Sequence, residues 1–248
     1  MGMLDNEVMT PKVDAATLAA ERLEHLRTML EFDRMVLSEH PKHSIIVGVD
    51  EVGRGCLAGP VVACAVILPA IERDSQLEQD LHRLNDSKLV PPDVRNQISQ
   101  RLREVCKFAV AEASVEEIDE INILHASLLA MRRAVRRLDK GDAPHLVLVD
   151  GNKKFASPST KQVTVIGGDS KSASIAAASI IAKVHRDAFM LKLHKKFPQY
   201  AWNSNKGYRS RAHYEALNEL GMTKWHRTSF NCGQHGTVED GDEEIVED

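Results

Sequence analysis

Two neighbouring carboxylates, Asp50 and Glu51, end the apolar run 46–49, and the tripeptide Gly53-Arg54-Gly55 follows them closely. Adjacent acids raise one another's pKa unless a cation neutralises them. Mg²⁺ and Mn²⁺ bind carboxylate oxygen and are the usual neutralisers. Because side chains alternate along a strand, both acids can serve one site only where the strand ends or turns, which glycines permit. The pair therefore indicates a metal site, and an acidic turn is the alternative.

Two more acids stand where they could join the same site. Asp150 ends the apolar run 146–149, and Asp169 follows two glycines just before a predicted long helix. Two divalent ions held by such acids can activate a water and stabilise the leaving oxygen of a phosphodiester. The alternatives are a turn start for Asp150 and a helix N-cap for Asp169. Asp187 is a rival to Asp169, but its position beside Arg186 inside the long helix favours a salt-bridging or packing role.

Seven segments, in this order, resemble ribonuclease HII, the bacterial type 2 ribonuclease H. The resemblance covers roughly residues 44 to 231, and an ordered set of this size is far more specific than any one segment. The segments are 46–60, 86–88, 148–152, 167–172, 177–187, 206–208 and 226–230.

The resemblance implies a role for each candidate residue. The four acids would be both the catalytic and the metal-binding residues, with Mg²⁺ or Mn²⁺ as cofactor. The Gly53-Arg54-Gly55 loop would grip the ribonucleotide's 2′-hydroxyl, the group that distinguishes RNA from DNA, and the adjacent phosphate. Tyr208 would stack against the following sugar. The remaining candidate substrate contacts are Lys88, Ser170, Lys171 and Lys206.

The sequence departs from the family's usual pattern at two positions. Asn205 stands where the family has a histidine, which puts any imidazole role there in doubt. Leu89 stands where a second lysine is common, so one phosphate contact is weakened or missing. His226 and Arg227 fit either the edge of a substrate groove or a structural role.

Apolar spacing predicts an α/β fold, a mixed five-stranded sheet with helices on both sides, and the resemblance implies the ribonuclease H-like fold. Pro91 and Pro92 open one helix, and Ser114 with Glu117 forms a capping box that opens another. The predicted helices span about 15–38, 91–103, 114–138 and 172–196. The predicted strands span about 44–50, 61–68, 105–111, 146–150 and 162–166.

The chain divides into four expected regions. An N-terminal tail and helical extension covers 1–43, and a ribonuclease H-like catalytic domain covers 44–198. A small C-terminal helical lobe, 199–232, would complete the substrate groove. Residues 233–248 form an acidic tail that we expect to be disordered.

Charge is unevenly distributed along the 248 residues. The net charge is −4, but seven acids lie within 239–248, so the rest of the chain carries +3. From Lys183 to Arg227 there are ten lysines and arginines against three acids. Such a basic region suits phosphate binding, and a solvated helix surface is the equal alternative.

Composition bears on the cellular location of the protein and on whether it associates with a membrane. The four cysteines are scattered, no apolar run reaches membrane-spanning length, and no secretory signal is evident. We therefore expect a cytoplasmic protein without a membrane partner, and nothing in the sequence requires more than a monomer. The resemblance implies that the protein acts on RNA/DNA hybrids and on ribonucleotide-containing duplex DNA. It would cut 5′ of the ribonucleotide, leaving 3′-hydroxyl and 5′-phosphate ends.

Three other functions compete with this interpretation. Ribonuclease HIII shares the fold, but the Gly53-Arg54-Gly55 loop and Tyr208 argue against it, as does the absence of that family's extra N-terminal domain. Another ribonuclease H-like nuclease, such as a junction resolvase, would not need a ribose-reading loop. A non-catalytic hybrid-binding protein would not need all four acids.

Overall fold

The computed structural model describes residues 14–138, 145–157 and 160–230. The acidic tail predicted at 233–248 lies outside these residues, as does the start of the N-terminal tail. The helices are α1 (Ala15–Ser38), α2 (Gln76–Asp80), α3 (Pro92–Val105), α4 (Val115–Leu138), α5 (Ala173–Lys196), α6 (Trp202–Asn205) and α7 (Arg211–Leu220). The strands are β1 (Ile45–Val52), β2 (Val61–Ile67), β3 (Lys107–Ala113), β4 (His145–Asp150) and β5 (Lys161–Val165).

The five strands form one mixed sheet in the order β3-β2-β1-β4-β5. The pairs β1–β2 and β2–β3 are antiparallel, whereas β4 runs parallel to both β1 and β5. The mixed five-stranded sheet predicted from the sequence is therefore confirmed. Because β4 lies parallel to β1, the carboxyl ends of these central strands meet at one edge of the sheet.

Helices cover both faces of the sheet, as predicted. On one face, α5 and α3 enclose an apolar core that includes Cys64, Ile98 and Ile180, and α1 adds Leu26 and Met29. On the other face, α4 packs its apolar stripe against β3, β2 and β1. The small residues at the start of α5 let the helix approach β1 very closely.

The predicted capping box at the start of α4 is present. The Ser114 hydroxyl accepts a hydrogen bond from the Glu117 amide at 3.2 Å, and the Glu117 carboxylate accepts one from the Ser114 amide at 3.0 Å. The helix is not continuous, however, because Asn122 has a φ of 63°. Its side-chain oxygen accepts from the Leu124 and His125 amides and restarts the helix.

The described C-terminal residues pack on the second half of α5. Trp202, Tyr200 and Leu217 form an apolar cluster with Met190 and Leu193 of α5. The part of this lobe that the structure describes is thus continuous with the main body through α5. Over the described ranges, no helix combines the length and the apolar character needed to cross a membrane.

Gly48 of β1 is the point of closest approach between the sheet and α5. A Cβ atom there would lie 2.1 Å from the carbonyl carbon of Ser174, which is backbone and cannot move aside. We predict that Gly48→Ala lowers the free energy of unfolding by about 3 kcal/mol or more. Urea denaturation would measure this loss.

Gly55→Ala is the matched control, because a Cβ at Gly55 meets no atom within 4 Å. Its free energy of unfolding should stay within about 0.5 kcal/mol of the wild type. Equal effects of the two substitutions would contradict the proposed close packing at Gly48.

Candidate active site

Asp50 and Asp150 lie side by side at the carboxyl edge of the sheet. Val49 of β1 is opposite Val149 of β4, and each aspartate is the next residue of its strand. The expectation that β1 ends at Asp50 was wrong, because the strand continues through Glu51 to Val52. Ser179 of α5 lies close to Asp50, whose Oδ1 accepts a hydrogen bond from the Glu51 amide at 2.7 Å, while Glu51 pairs with Arg54 at 3.2 Å.

The turn between β5 and α5 brings Asp169 to the same edge. The Gly168 amide donates a 2.7 Å hydrogen bond to Oδ1 of Asp150. A Cβ at Gly168 would lie 2.5 Å from the Ile175 side chain and 3.1 Å from that same oxygen, so a glycine is needed for this approach. Asp169 follows directly, and its carboxyl group lies close enough to that of Asp86 for repulsion between them to raise its pKa.

Burial and mutual repulsion raise the pKa values of three of these acids. Burial, together with repulsion from Glu51, Asp150 and Asp169, raises the pKa of Asp50 well above its usual range. Burial also raises the pKa of Glu51, against the opposing effect of Arg54. Burial and repulsion from Asp86 and Asp150 raise the pKa of Asp169 to about 6.

These acids fit a divalent cation by donor chemistry and by charge. All are carboxylates, the ligands that Mg²⁺ and Mn²⁺ prefer, and a cation would relieve the repulsion that raises their pKa values. In their present positions, however, no three histidine, cysteine, aspartate or glutamate side chains among the described residues surround a common point as a metal shell does. Asp150, Glu51 and Asp50 are each hydrogen-bonded to protein groups instead.

Buried arginines hold the loop that follows Glu51. The Arg227 guanidinium donates to the carbonyls of Gly53 at 2.6 Å, Arg54 at 2.9 Å and Gly59 at 2.9 Å. Gly53 has a φ of 95°, and a Cβ there would lie 2.2 Å from Nε of Arg186. The loop predicted to bind the ribose 2′-hydroxyl is therefore held by buried arginine side chains on its inner side. The Arg54 side chain itself is about half exposed.

Tyr208 lies against this loop because Gly207 packs directly on it. The Gly207 carbonyl accepts from the Leu57 amide at 2.8 Å, and a Cβ at Gly207 would lie 2.6 Å from the Ala58 carbonyl oxygen. Burial, together with the nearby Cys56, raises the pKa of Tyr208. The structure thus brings Tyr208 and the Gly53-Arg54-Gly55 loop together.

Asn205 has a structural role at the position where the family commonly has histidine. Its side-chain oxygen accepts from the Gly207 amide at 2.8 Å, and its amide nitrogen donates to the Tyr200 carbonyl at 2.9 Å. Its backbone carbonyl accepts from the Tyr208 amide at 2.8 Å. Asn205 therefore shapes the turn that presents Tyr208.

The predicted phosphate contacts differ in their surroundings. Lys88 is exposed and close enough to Asp169 to lower its pKa, and the neighbouring Leu89 is 70% exposed. Lys171 donates to the Ile166 carbonyl at 2.7 Å, and Ser170 donates to the Gly167 carbonyl at 2.9 Å. Lys206 donates to the Asn203 carbonyl.

Sequence reasoning missed several groups that support these acids. Asp86 belongs to the family-like segment 86–88, but of these three residues only Lys88 is a predicted substrate contact. Ser179 lies within another such segment, and its hydroxyl is 2.8 Å from that of Ser87. Residue spacing alone carried no signal for these two contacts. Asp187 pairs with Lys183 at 3.1 Å and Arg95 at 3.7 Å, which confirms the predicted salt-bridging role.

His226 and Arg227 are buried, which favours the structural role. Nε2 of His226 is 3.1 Å from Nε2 of His213, and the Thr223 amide donates to Nδ1 of His226 at 2.9 Å. His213 also contacts the Tyr208 carbonyl at 2.8 Å. Burial, with repulsion from His213, lowers the pKa of His226 to about 4.

A mixed five-stranded sheet with carboxylates gathered at one edge defines a nuclease of the ribonuclease H-like fold. Residues 47–232 match the family model of ribonuclease HII. The chain is 47% identical to ribonuclease HII of Pelagibacter ubique (strain HTCC1062) over 187 residues, which are 75% of this chain and 96% of that protein. The chain therefore belongs to the ribonuclease HII family.

Solved structures agree on the fold. A chain of the PCNA–ribonuclease HII complex from Archaeoglobus fulgidus gives a TM-score of 0.63 at 24% identity, covering 79% of this chain and all of that one. Bst ribonuclease HIII in complex with Mn²⁺ gives a TM-score of 0.56 at 17% identity. The match covers 86% of this chain and 69% of that one. The family assignment makes the protein an endoribonuclease with ribonuclease H activity that depends on divalent metal.

Because the carboxylates of the candidate site repel one another, replacing one of them with a neutral side chain should stabilise the folded protein. At pH 8, above its raised pKa of about 6, the carboxyl group of Asp169 is ionised, and its ionisation costs folding free energy. Asp169→Asn should therefore raise the free energy of unfolding in EDTA by about 1 kcal/mol, measured by urea denaturation.

Asp187→Asn is the matched control because it removes an acid that pairs with Lys183 and Arg95. This substitution should destabilise the protein under the same conditions. A loss of stability in both variants would contradict the repulsion argument.

The buried histidine pair predicts a loss of stability in mild acid. Because the folded pKa of His226 is lowered to about 4, the unfolded chain binds more protons between pH 4 and about 6.5. The contribution of His226 to stability is fully present above about pH 6.5, and it decreases as the pH falls from about 6.5 to 4. Between pH 7 and 5 the loss should be about 2 kcal/mol.

The measurement compares denaturation of the wild type and His226→Gln at both pH values. The difference between the two proteins isolates His226 from the carboxylates, whose raised pKa values act in the opposite direction. His226→Gln should be less stable at pH 7 and should lose less between pH 7 and 5. Parallel pH profiles would refute this assignment.

Proposed function

We propose that this ribonuclease cuts the RNA strand of RNA/DNA hybrids and cuts 5′ of single ribonucleotides embedded in duplex DNA. The products would carry 3′-hydroxyl and 5′-phosphate ends. The cellular role would be the removal of ribonucleotides from DNA. The observation that supports this proposal is the backbone contact of Gly207 with Leu57 and Ala58, because it joins the segment of Tyr208 to the loop that follows Glu51.

The proposed ligands of the divalent ions are Asp50, Glu51, Asp150 and Asp169. Two such ions, Mg²⁺ or Mn²⁺, would supply an activated water and stabilise the leaving oxygen when bound. The mutual repulsion of the acids supports this assignment because it creates a strong demand for positive charge. A hydrogen bond from the Gly168 amide holds Asp150 in place, and Oδ1 of Asp50 accepts one from the Glu51 amide.

The proposed substrate contacts are divided between ribose and phosphate. The backbone of Gly53, Arg54 and Gly55 would hydrogen-bond the 2′-hydroxyl, which serves recognition while water is the nucleophile. Tyr208 would stack on the next sugar and favour deoxyribose there. The proposed phosphate contacts are Lys88, Ser170, Lys171 and Lys206. A monomer in the cytoplasm stays our prediction.

The test uses three labelled substrates: a DNA duplex with one ribonucleotide, the same duplex without it, and a long RNA/DNA hybrid. Each is incubated with Mg²⁺, Mn²⁺ or EDTA. We expect a metal-dependent nick 5′ of the single ribonucleotide and no cleavage of the all-DNA duplex. Cleavage of the long hybrid alone would contradict the proposed ribose reading.

Asp150→Asn separates chemistry from binding in the same assay. It should reduce cleavage by on the order of 1,000-fold, because the reacting centre loses one charged ligand. Hybrid binding in EDTA should be unchanged or tighter, because a negative charge near the phosphates is removed. Retained cleavage would rule out the proposed role of Asp150.

A further inference from the structure

Asp33, in the N-terminal extension, is a buried carboxylate that precedes all seven family-like segments in the sequence. It lies in α1, outside the residues 47–232 that match the family, and its side chain is only 8% exposed. A buried carboxylate costs folding free energy unless it is well hydrogen-bonded. Its partners therefore indicate what the extension contributes to the fold.

All the described hydrogen bonds of the Asp33 side chain go to the start of α5. Its Oδ1 accepts from the Ser172 hydroxyl at 2.5 Å. Its Oδ2 accepts from the Ser174 amide at 2.9 Å and from the Ser174 hydroxyl at 2.7 Å. A negative charge at a helix N-terminus is favourable because free amides point toward it. Asp33 is thus a second cap for α5, supplied by another helix.

The same contacts continue, bond by bond, into the candidate active site. Ser172, held by Asp33, donates its amide to the Gly168 carbonyl at 2.8 Å. Gly168 in turn donates its amide to Oδ1 of Asp150 at 2.7 Å. Asp169 lies between Gly168 and Ser172, so the turn that Asp33 ties down carries one proposed metal ligand and holds another.

We propose that Asp33 is a positioning residue for the metal site. It fixes the 168–172 turn, and so sets the relative positions of Asp150 and Asp169. This inference rests on the metal site proposed above. It gives the extension a role in metal binding, beyond its anchoring of α1 on the body.

Arg27 provides the control for simple anchoring. It also joins α1 to the body, through ion pairs with Glu78 at 2.8 Å and Asp74 at 2.8 Å, but these partners do not include the 168–172 turn. If Asp33 only holds α1 in place, then Asp33→Asn and Arg27→Gln should have the same consequences. If Asp33 positions the turn, only Asp33→Asn should affect metal binding.

The experiment measures the Mn²⁺ dissociation constant of the full-length protein by electron paramagnetic resonance, without substrate. We expect Asp33→Asn to weaken Mn²⁺ binding about tenfold, as for other groups that orient metal ligands. Arg27→Gln should lower stability in urea and leave the Mn²⁺ constant unchanged. Hybrid binding in EDTA should be unchanged in both variants. An unchanged Mn²⁺ constant in Asp33→Asn would overturn the proposal.

A pair of serine substitutions keeps the proposal testable even if Asp33→Asn does not fold. Ser172→Ala breaks the side-chain link between Asp33 and the turn, whereas Ser174→Ala removes an Asp33 partner outside that link. We expect weaker Mn²⁺ binding in Ser172→Ala alone. Equal Mn²⁺ constants in the two serine variants would contradict the proposed path.

Asp150→Asn distinguishes failure of this inference from failure of the metal site itself. If Asp150→Asn leaves Mn²⁺ binding unchanged, the proposed site is wrong and the role of Asp33 fails with it. If Asp150→Asn weakens Mn²⁺ binding and Asp33→Asn does not, the site stands and only the inference about Asp33 is overturned.

Discussion

Repulsion among carboxylates at one edge of the sheet is the constraint on which the rest of this structure depends. Asp50 is buried and has three other acids close enough to raise its pKa further. Such a cluster costs folding free energy, so the surrounding scaffold must hold the acids together against their own charge. Parallel pairing of β1 and β4 provides the first means, because it fixes Asp50 and Asp150 as neighbours.

Close backbone approaches and buried polar contacts hold the rest of the site in position. Gly48 lets α5 lie directly on β1, and Gly168 lets the turn before α5 reach the Asp150 carboxylate. Arg227 is fully buried and fixes the carbonyls of the loop that follows Glu51. Since each of these contacts joins segments distant in the sequence, the acids, the loop and Tyr208 depend on the whole fold for their relative positions.

The sequence predicted the elements well because their signals are local. Apolar spacing and the Ser114–Glu117 capping box determined the order of strands and helices, and the family-like segments identified the acids. Contacts between distant segments left no such signal. In the sequence, nothing distinguishes Asp33 from the other acids of its helix. Nothing there indicates that Asp86, two residues before Lys88, lies next to Asp169. The kink at Asn122 was missed because its flanks have unbroken helical spacing.

We propose that Asp50, Glu51, Asp150 and Asp169 form one divalent-metal site. The most direct test is a crystal of the protein soaked in Mn²⁺, with anomalous diffraction used to locate the ion. We expect an anomalous peak within bonding distance, about 2.2 Å, of oxygens from Asp50 and Asp150. Strong Mn²⁺ peaks elsewhere on the protein, with none among these acids, would contradict it.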